Sequence, residues 1–136
     1  MSHVLVVEDN DSDIFLIREA LAATGMVLSV HLAKDGEQAV RFLDKAEHTA
    51  DAPCPALVLL DINLPKLQGG DVLRHLRELS RCERTKVLVV STAASTQDRD
   101  RMIKLGANGY FRKPSRYDDF MKLSDVVKAM LAPPSH

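Results

Sequence analysis

Three acidic residues, a pair of hydroxyls and one lysine stand at the ends of short apolar runs, and their types suit one reaction. Glu8 and Asp9 follow the run at 4–7, Asp61 follows 56–60, Ser91 and Thr92 follow 87–90, and Lys113, ahead of Pro114, follows 109–111. Carboxylates brought to one edge repel one another unless a cation neutralises them. Oxygen-only ligands favour Mg²⁺ over zinc. A carboxylate can attack phosphorus to give an acyl phosphate, provided that a metal and an ammonium cancel the repulsion between the two anions. Asp61 is the candidate nucleophile, with Glu8 and Asp9 as metal-binding acids. The backbone carbonyl of Asn63, two residues on, offers a further metal ligand. The Lys113 ammonium and the Ser91 hydroxyl are suited to the oxygens of the acyl phosphate.

Such residues meet only if the chain alternates strands with helices. The runs at 4–7, 56–60 and 87–90 are rich in Val and Leu and too short for buried helices, so they read as buried strands. Residues 27–33 give a more polar strand and 109–111 a short fifth. Between them the apolar spacing turns helical: Ile14, Ile17 and Leu21; Val40 and Leu43; Val72, Leu73, Leu76 and Leu79; a weaker stretch at 97–105 ended by Gly106. Leu123, Val126, Val127, Met130 and Leu131 form the clearest helix, which Pro133 stops. Five strands and five helices in alternation predict an α/β doubly wound parallel sheet, covered on both faces through right-handed crossovers. Ligands in such sheets bind beyond the carboxyl ends of the strands, where the acids, hydroxyls and lysine fall.

Composition narrows the remaining choices. The 136 residues fit one domain, 1–136, with a core at about 3–131 and a short tail at 132–136. No apolar run approaches a membrane span or a secretion signal, so a cytoplasmic protein is expected. With 18 basic and 19 acidic residues the net charge is −1, which gives no general attraction to nucleic acid or membrane. Cys54 and Cys82 lack metal or redox spacing and are expected as free thiols. The five histidines are scattered and receive no role.

The stretches Val-Val-Glu-Asp-Asn at 6–10, Leu-Leu-Asp-Ile-Asn-Leu-Pro at 59–65, Gly69, Val-Val-Ser-Thr at 89–92 and Gly-Ala-Asn-Gly-Tyr-Phe-Arg-Lys-Pro at 106–114 together resemble the response-regulator receiver domain of two-component signalling. That resemblance implies a flavodoxin-like fold with strand order 2-1-3-4-5. It implies transfer of a phosphoryl group to Asp61 from a sensor histidine kinase or phosphotransfer protein. Asp9 matches the direct Mg²⁺ ligand, Glu8 the acid acting largely through water, Asp61 the phosphoacceptor and the Asn63 carbonyl the third protein ligand. Ser91 matches the switch hydroxyl, with Thr92 its neighbour, Tyr110 the aromatic that moves with it, Lys113 the phosphate-binding ammonium, and Pro114 a proline after a cis bond. Residues 9–17 and the loop at 47–55 resemble the small stand-alone regulators of bacterial phytochrome-type kinases.

The expected protein is a switch that assists its own phosphorylation and dephosphorylation, rather than an enzyme. With the last helix running almost to the end of the chain, no attached output domain is expected. Output then passes to a downstream protein partner, or through a homodimer, by the face of the fourth helix, fifth strand and fifth helix. Two other readings stand beside it. A phosphatase with an aspartyl nucleophile usually carries a second acid two residues later, where this chain has Asn63. A pseudo-receiver that binds partners without phosphorylation would not need the full set of acids, hydroxyl and lysine. Singly, some of these residues have plainer roles: Asp11 or Ser12 as a helix cap, Lys113-Pro114 as a turn, Tyr110 as core packing.

Overall fold

A computed structural model describes residues 2–92 and 95–132. Five parallel strands, β1 (Ser2–Val7), β2 (Leu28–Ala33), β3 (Leu57–Leu60), β4 (Lys86–Ser91) and β5 (Gly109–Arg112), form one sheet in the order 2-1-3-4-5. The helices are α1 (Asp11–Ala22), α2 (Gly36–His48), α3 (Gly69–Arg77) and α4 (Thr96–Lys104), followed by two segments, α5 (Tyr117–Phe120) and α6 (Leu123–Leu131), that together make the fifth helix of the fold. The break between them is a turn in which the Ser124 and Asp125 amides donate three residues back, to Met121 and Lys122. The predicted tail beyond Ala132 lies outside the described residues.

The period of two in the central strands divides the core. Leu5, Val7, Val58, Leu60, Val87 and Val89 face α2, α3 and Met102 of α4, while Val4, Val6, Leu57, Leu59, Leu88 and Val90 face α1, α5 and α6. Strands buried on both faces must be apolar at every position, which explains why they are unbroken Val and Leu runs. β2 lies at an edge and is mostly half-buried, which fits its Ser29 and His31. β2 and β3 start one residue later than predicted, and β1 and β4 start earlier, at Ser2 and Lys86; Val27 is exposed, while Ala56 still bonds to His3 and Lys86 on either side.

The cysteines differ from expectation. Cys54 and Cys82 form a disulfide across 28 residues with a Cα–Cα distance of 5.4 Å. Each precedes a strand by a few residues, and those strands, β3 and β4, are paired in register from Leu57 and Lys86. The sheet therefore brings the two sulfurs together, although their spacing in sequence gives no sign of it. The expectation of free thiols rested on a reducing compartment, which bears on the redox state of the sulfurs and not on their placement. Nearby, Glu47 accepts from the Ser80 and Arg81 amides, and the Arg81 guanidinium donates to the carbonyls of Ala46, Thr49 and Ala50.

Candidate functional site

The site is built at the carboxyl end of β1, β3 and β5. Strand pairing continues one residue past β1 and β3: the Glu8 amide donates to Ala33 at 3.0 Å and the Asp61 amide to Val7 at 3.1 Å. Both acids thus leave a backbone fixed by the sheet. Glu8 Oε2 accepts from the amides of Asp9 and Asn10 at 3.1 and 3.2 Å, which aims Oε1 across the edge. Asn10, rather than the predicted Asp11 or Ser12, caps α1 by accepting from the Asp13 amide at 2.9 Å. An Asn side chain at the last non-helical residue reaches the third amide of the helix, which the side chains inside the first turn do not. Behind Asp61, Gly69 lets α3 approach so closely that a Cβ there would lie 2.3 Å from the Asp61 carbonyl.

Lys113 crosses the site. Its Nζ donates to Glu8 Oε1 at 2.5 Å, Asp13 Oδ2 at 2.9 Å and Asp61 Oδ2 at 3.3 Å. Glu8 is 1 % exposed and Asp61 9 %. Burial pushes the Glu8 carboxyl up to about 7; the Asp61 charge adds to this, and the hydrogen bond and charge of Lys113 oppose it. Burial also pulls the Lys113 ammonium downward, but its bonds to Glu8 and Asp13 and the charge of Asp61 outweigh that and hold it above the ordinary lysine range. Among the described residues Glu8, Asp9 and Asp61 can each turn an oxygen to a common point, with these atoms all within 4.8 Å of one another. Three acids around one ammonium, with Asp9 beside them, put more carboxylates than ammonium groups at this edge among the described residues, and the donors are all oxygen, so the residues fit a hard divalent cation.

The other predicted residues are placed as follows. Asn63 is exposed in the loop after β3. Ser91 is fully buried at the end of β4; its carbonyl accepts from the Lys113 amide at 3.0 Å, and its side chain acts on the Tyr110 hydroxyl, opposing the effect of burial there. Burial raises the Tyr110 hydroxyl above its usual range, and the ring packs on the α2–α3 core. Thr92 is exposed and lines a cleft of about 520 Å³ with Arg112, Lys113, Pro114, Ser115, Arg116 and Asp119. The bond before Pro114 is trans, contrary to the cis bond that the resemblance implied, since no cis peptide occurs among the described residues. Trans is the lower-energy form of an X-Pro bond by about 0.5–1 kcal/mol, and Lys113 meets all three acids with it.

Sequence reasoning missed Asp13. Its place in the first turn of α1 reads as an acid complementing the helix dipole. Only the fold separates it from Asp11, by turning its side chain inward to Lys113.

The chain is similar to known proteins over most of its length. A family model described as response regulator receiver domain matches residues 4–125. Response regulator Rcp1 of Synechocystis sp. is 31% identical over 126 residues, 93% of this chain and 86% of its own. The crystal structure of the phosphorylated cyanobacterial phytochrome response regulator RcpA superposes with a TM-score of 0.84 at 32% identity, over 93% of this chain and 91% of its own. The Mn²⁺-bound form of Rcp1 gives 0.85 at 27% identity, over 99% and 100%.

Proposed function

Because the chain belongs to the response regulator receiver domain family, we propose that it is a phosphorylation switch with Asp61 as acceptor, and that Glu8, Asp9, Asp61 and the Asn63 carbonyl hold Mg²⁺. The position of Lys113 carries this reading. Its ammonium lies 3.3 Å from an Asp61 oxygen while a second bond ties it to Glu8, so the acid that would meet phosphorus already faces the Lys113 cation. The bound metal would supply the rest of the charge neutralisation that lets one anion attack another.

In the transfer, an Asp61 oxygen bonds to phosphorus as the donor's P–N or P–O bond breaks, and that electron pair leaves with the donor. No proton need leave the attacking carboxylate. Lys113 then faces a phosphoryl oxygen in place of the carboxylate oxygen, and the Ser91 hydroxyl, turning from Tyr110, donates to another. The same groups assist hydrolysis, in which water attacks phosphorus and the Asp61 oxygen leaves.

Receiver domains take phosphoryl groups from histidine kinases or phosphotransfer proteins; similarity to RcpA, a phytochrome response regulator, supports a phytochrome-type kinase here. Output runs to a downstream protein, or to a second copy, by the face of α4, β5 and the two last helical segments. No described helix is long and apolar enough to cross a membrane, and a cytoplasmic single domain is the setting we propose.

Acetyl phosphate with Mg²⁺ tests the reading by intact mass. The wild type should gain one phosphoryl group and Asp61→Asn none. Gain by Asp61→Asn at the wild-type rate would remove Asp61 as the acceptor.

A further inference from the structure

We infer that Asp13 is a positioning residue for phosphotransfer, holding the Lys113 ammonium where it meets a phosphoryl group on Asp61. The inference rests on the reading of Asp61 as acceptor and adds a residue to it.

An ammonium has three N–H groups, and those of Lys113 have three carboxylate partners, Glu8, Asp13 and Asp61. These partners are not equivalent. Glu8 and Asp61 belong to the group of acids whose oxygens converge within 4.8 Å, and Asp13 does not. A cation in that group competes with Lys113 for Glu8 and Asp61, and a phosphoryl group on Asp61 displaces the oxygen that Lys113 now faces. Asp13 is the partner that neither event removes.

Asp13 is also suited to hold still. Its amide is fixed by the Asn10 cap at 2.9 Å, at the start of a helix whose Ile17 and Leu21 are buried against the sheet. The two acids of that first turn divide their work. Asp11 turns outward to Lys34 in a largely exposed pair, whereas Asp13 turns inward to a lysine whose side chain is 5 % exposed. A helix dipole would be served equally by either direction, so the inward bond needs a separate reason. Lys113 reaches the acids on a flexible four-carbon stem, and without Asp13 its orientation would depend on partners that the reaction takes away. Asp13 adds negative charge near the incoming phosphate, but its bond of 2.9 Å to Lys113 offsets part of that charge.

The test compares Asp13→Asn and Asp13→Glu with the wild type in the full chain. Removing one charge-assisted bond should lower the rate of phosphorylation by acetyl phosphate about tenfold in Asp13→Asn. Mg²⁺ affinity, measured by calorimetry, should stay unchanged, the Lys113 Nζ protons should exchange faster by NMR, and Asp13→Glu should recover much of the rate. Wild-type or faster phosphorylation of Asp13→Asn, or unchanged Nζ exchange, would overturn the inference. Parallel loss of Mg²⁺ affinity and rate would also overturn it, because the site as a whole would then have collapsed. Failure of the underlying reading looks different: the wild type itself would take up no phosphoryl group, or take it on a residue other than Asp61.

Discussion

Glu8 should make the metal-free protein lose stability as pH rises, opposite to the usual behaviour of a paired carboxylate. Its carboxyl is 1 % exposed and titrates near 7 in the fold, against an ordinary value of 4.5. A carboxyl whose folded pKa is raised contributes stability that is complete below the unfolded value and lost as pH climbs through the folded one. At about 1.4 kcal/mol per tenfold change in proton affinity, the separation corresponds to about 3 kcal/mol lost between roughly pH 4.5 and 7. Lys113, raised rather than lowered, keeps its contribution until pH passes the ordinary lysine range, so it adds no slope in this window. Asp35, lowered chiefly by the Gln38 amide it caps, acts only in more acid solution. His31, lowered by burial and by His3, contributes stability that is lost as pH falls below its ordinary value of 6.5, and so opposes Glu8. The clean measurement is therefore a difference. Denaturant unfolding in chelator at about pH 5 and pH 8 should show a fall for the wild type that Glu8→Gln lacks by about 3 kcal/mol. Under the proposed function Mg²⁺ would favour the ionised form, so adding it should flatten the wild-type slope. Equal slopes for wild type and Glu8→Gln in chelator would refute the reasoning.

Gly69→Ala should destabilise the fold by about 3 kcal/mol and slow phosphorylation of Asp61, because the new Cβ would meet the Asp61 carbonyl at 2.3 Å and Ile62 Cα at 2.9 Å; a wild-type denaturation midpoint and rate would count against that packing. Reduction of the disulfide opens a loop closed across 28 residues, which on chain entropy lowers stability by at most about 4 kcal/mol. Thermal melts should fall on adding reductant to the wild type and not to Cys82→Ser, and an unchanged wild-type melt would mean that Glu47 and Arg81 hold this end alone.

How far each feature could be read from the sequence depends on the range of the interaction that makes it. The strand runs at β1, β3 and β4 were legible because burial on both faces forces every position to be apolar. The rule that ligands lie beyond strand ends groups Glu8, Asp9, Asp61 and Lys113 from the sequence, although their full set of roles comes from the family resemblance. Asp13 was not legible. In sequence it is one of two acids in a first helical turn, and only the direction in which each turns separates it from Asp11. The disulfide was hidden in the same way, since strand register rather than spacing brings Cys54 to Cys82. Arg77 is a third case: it ties α3 to the Gly106 and Thr85 carbonyls and to Asn108, partners that no helical pattern reveals.

Ser91 joins the acid site to the outer face of the sheet through two separate atoms. Its carbonyl holds the Lys113 amide, and its side chain acts on the Tyr110 hydroxyl. Being fully buried, the hydroxyl cannot turn to solvent and must exchange one protein partner for another. Under the proposed function, phosphorylation would bring roughly two negative charges to the edge, and a hydroxyl drawn to them would leave Tyr110. Tyr110 borders a cleft of about 260 Å³ with Ser95, Thr96, Arg99 and Arg112, so the surface that gains or loses its hydroxyl is that of α4 and β5. Two alternative partners for one hydroxyl would give two discrete surfaces. A partner can bias them only by its difference in affinity for the two. Ser91→Ala should accordingly take up phosphate while losing the phosphate-dependent change in hydrogen exchange across α4 and β5, and a wild-type exchange pattern in that variant would break the link.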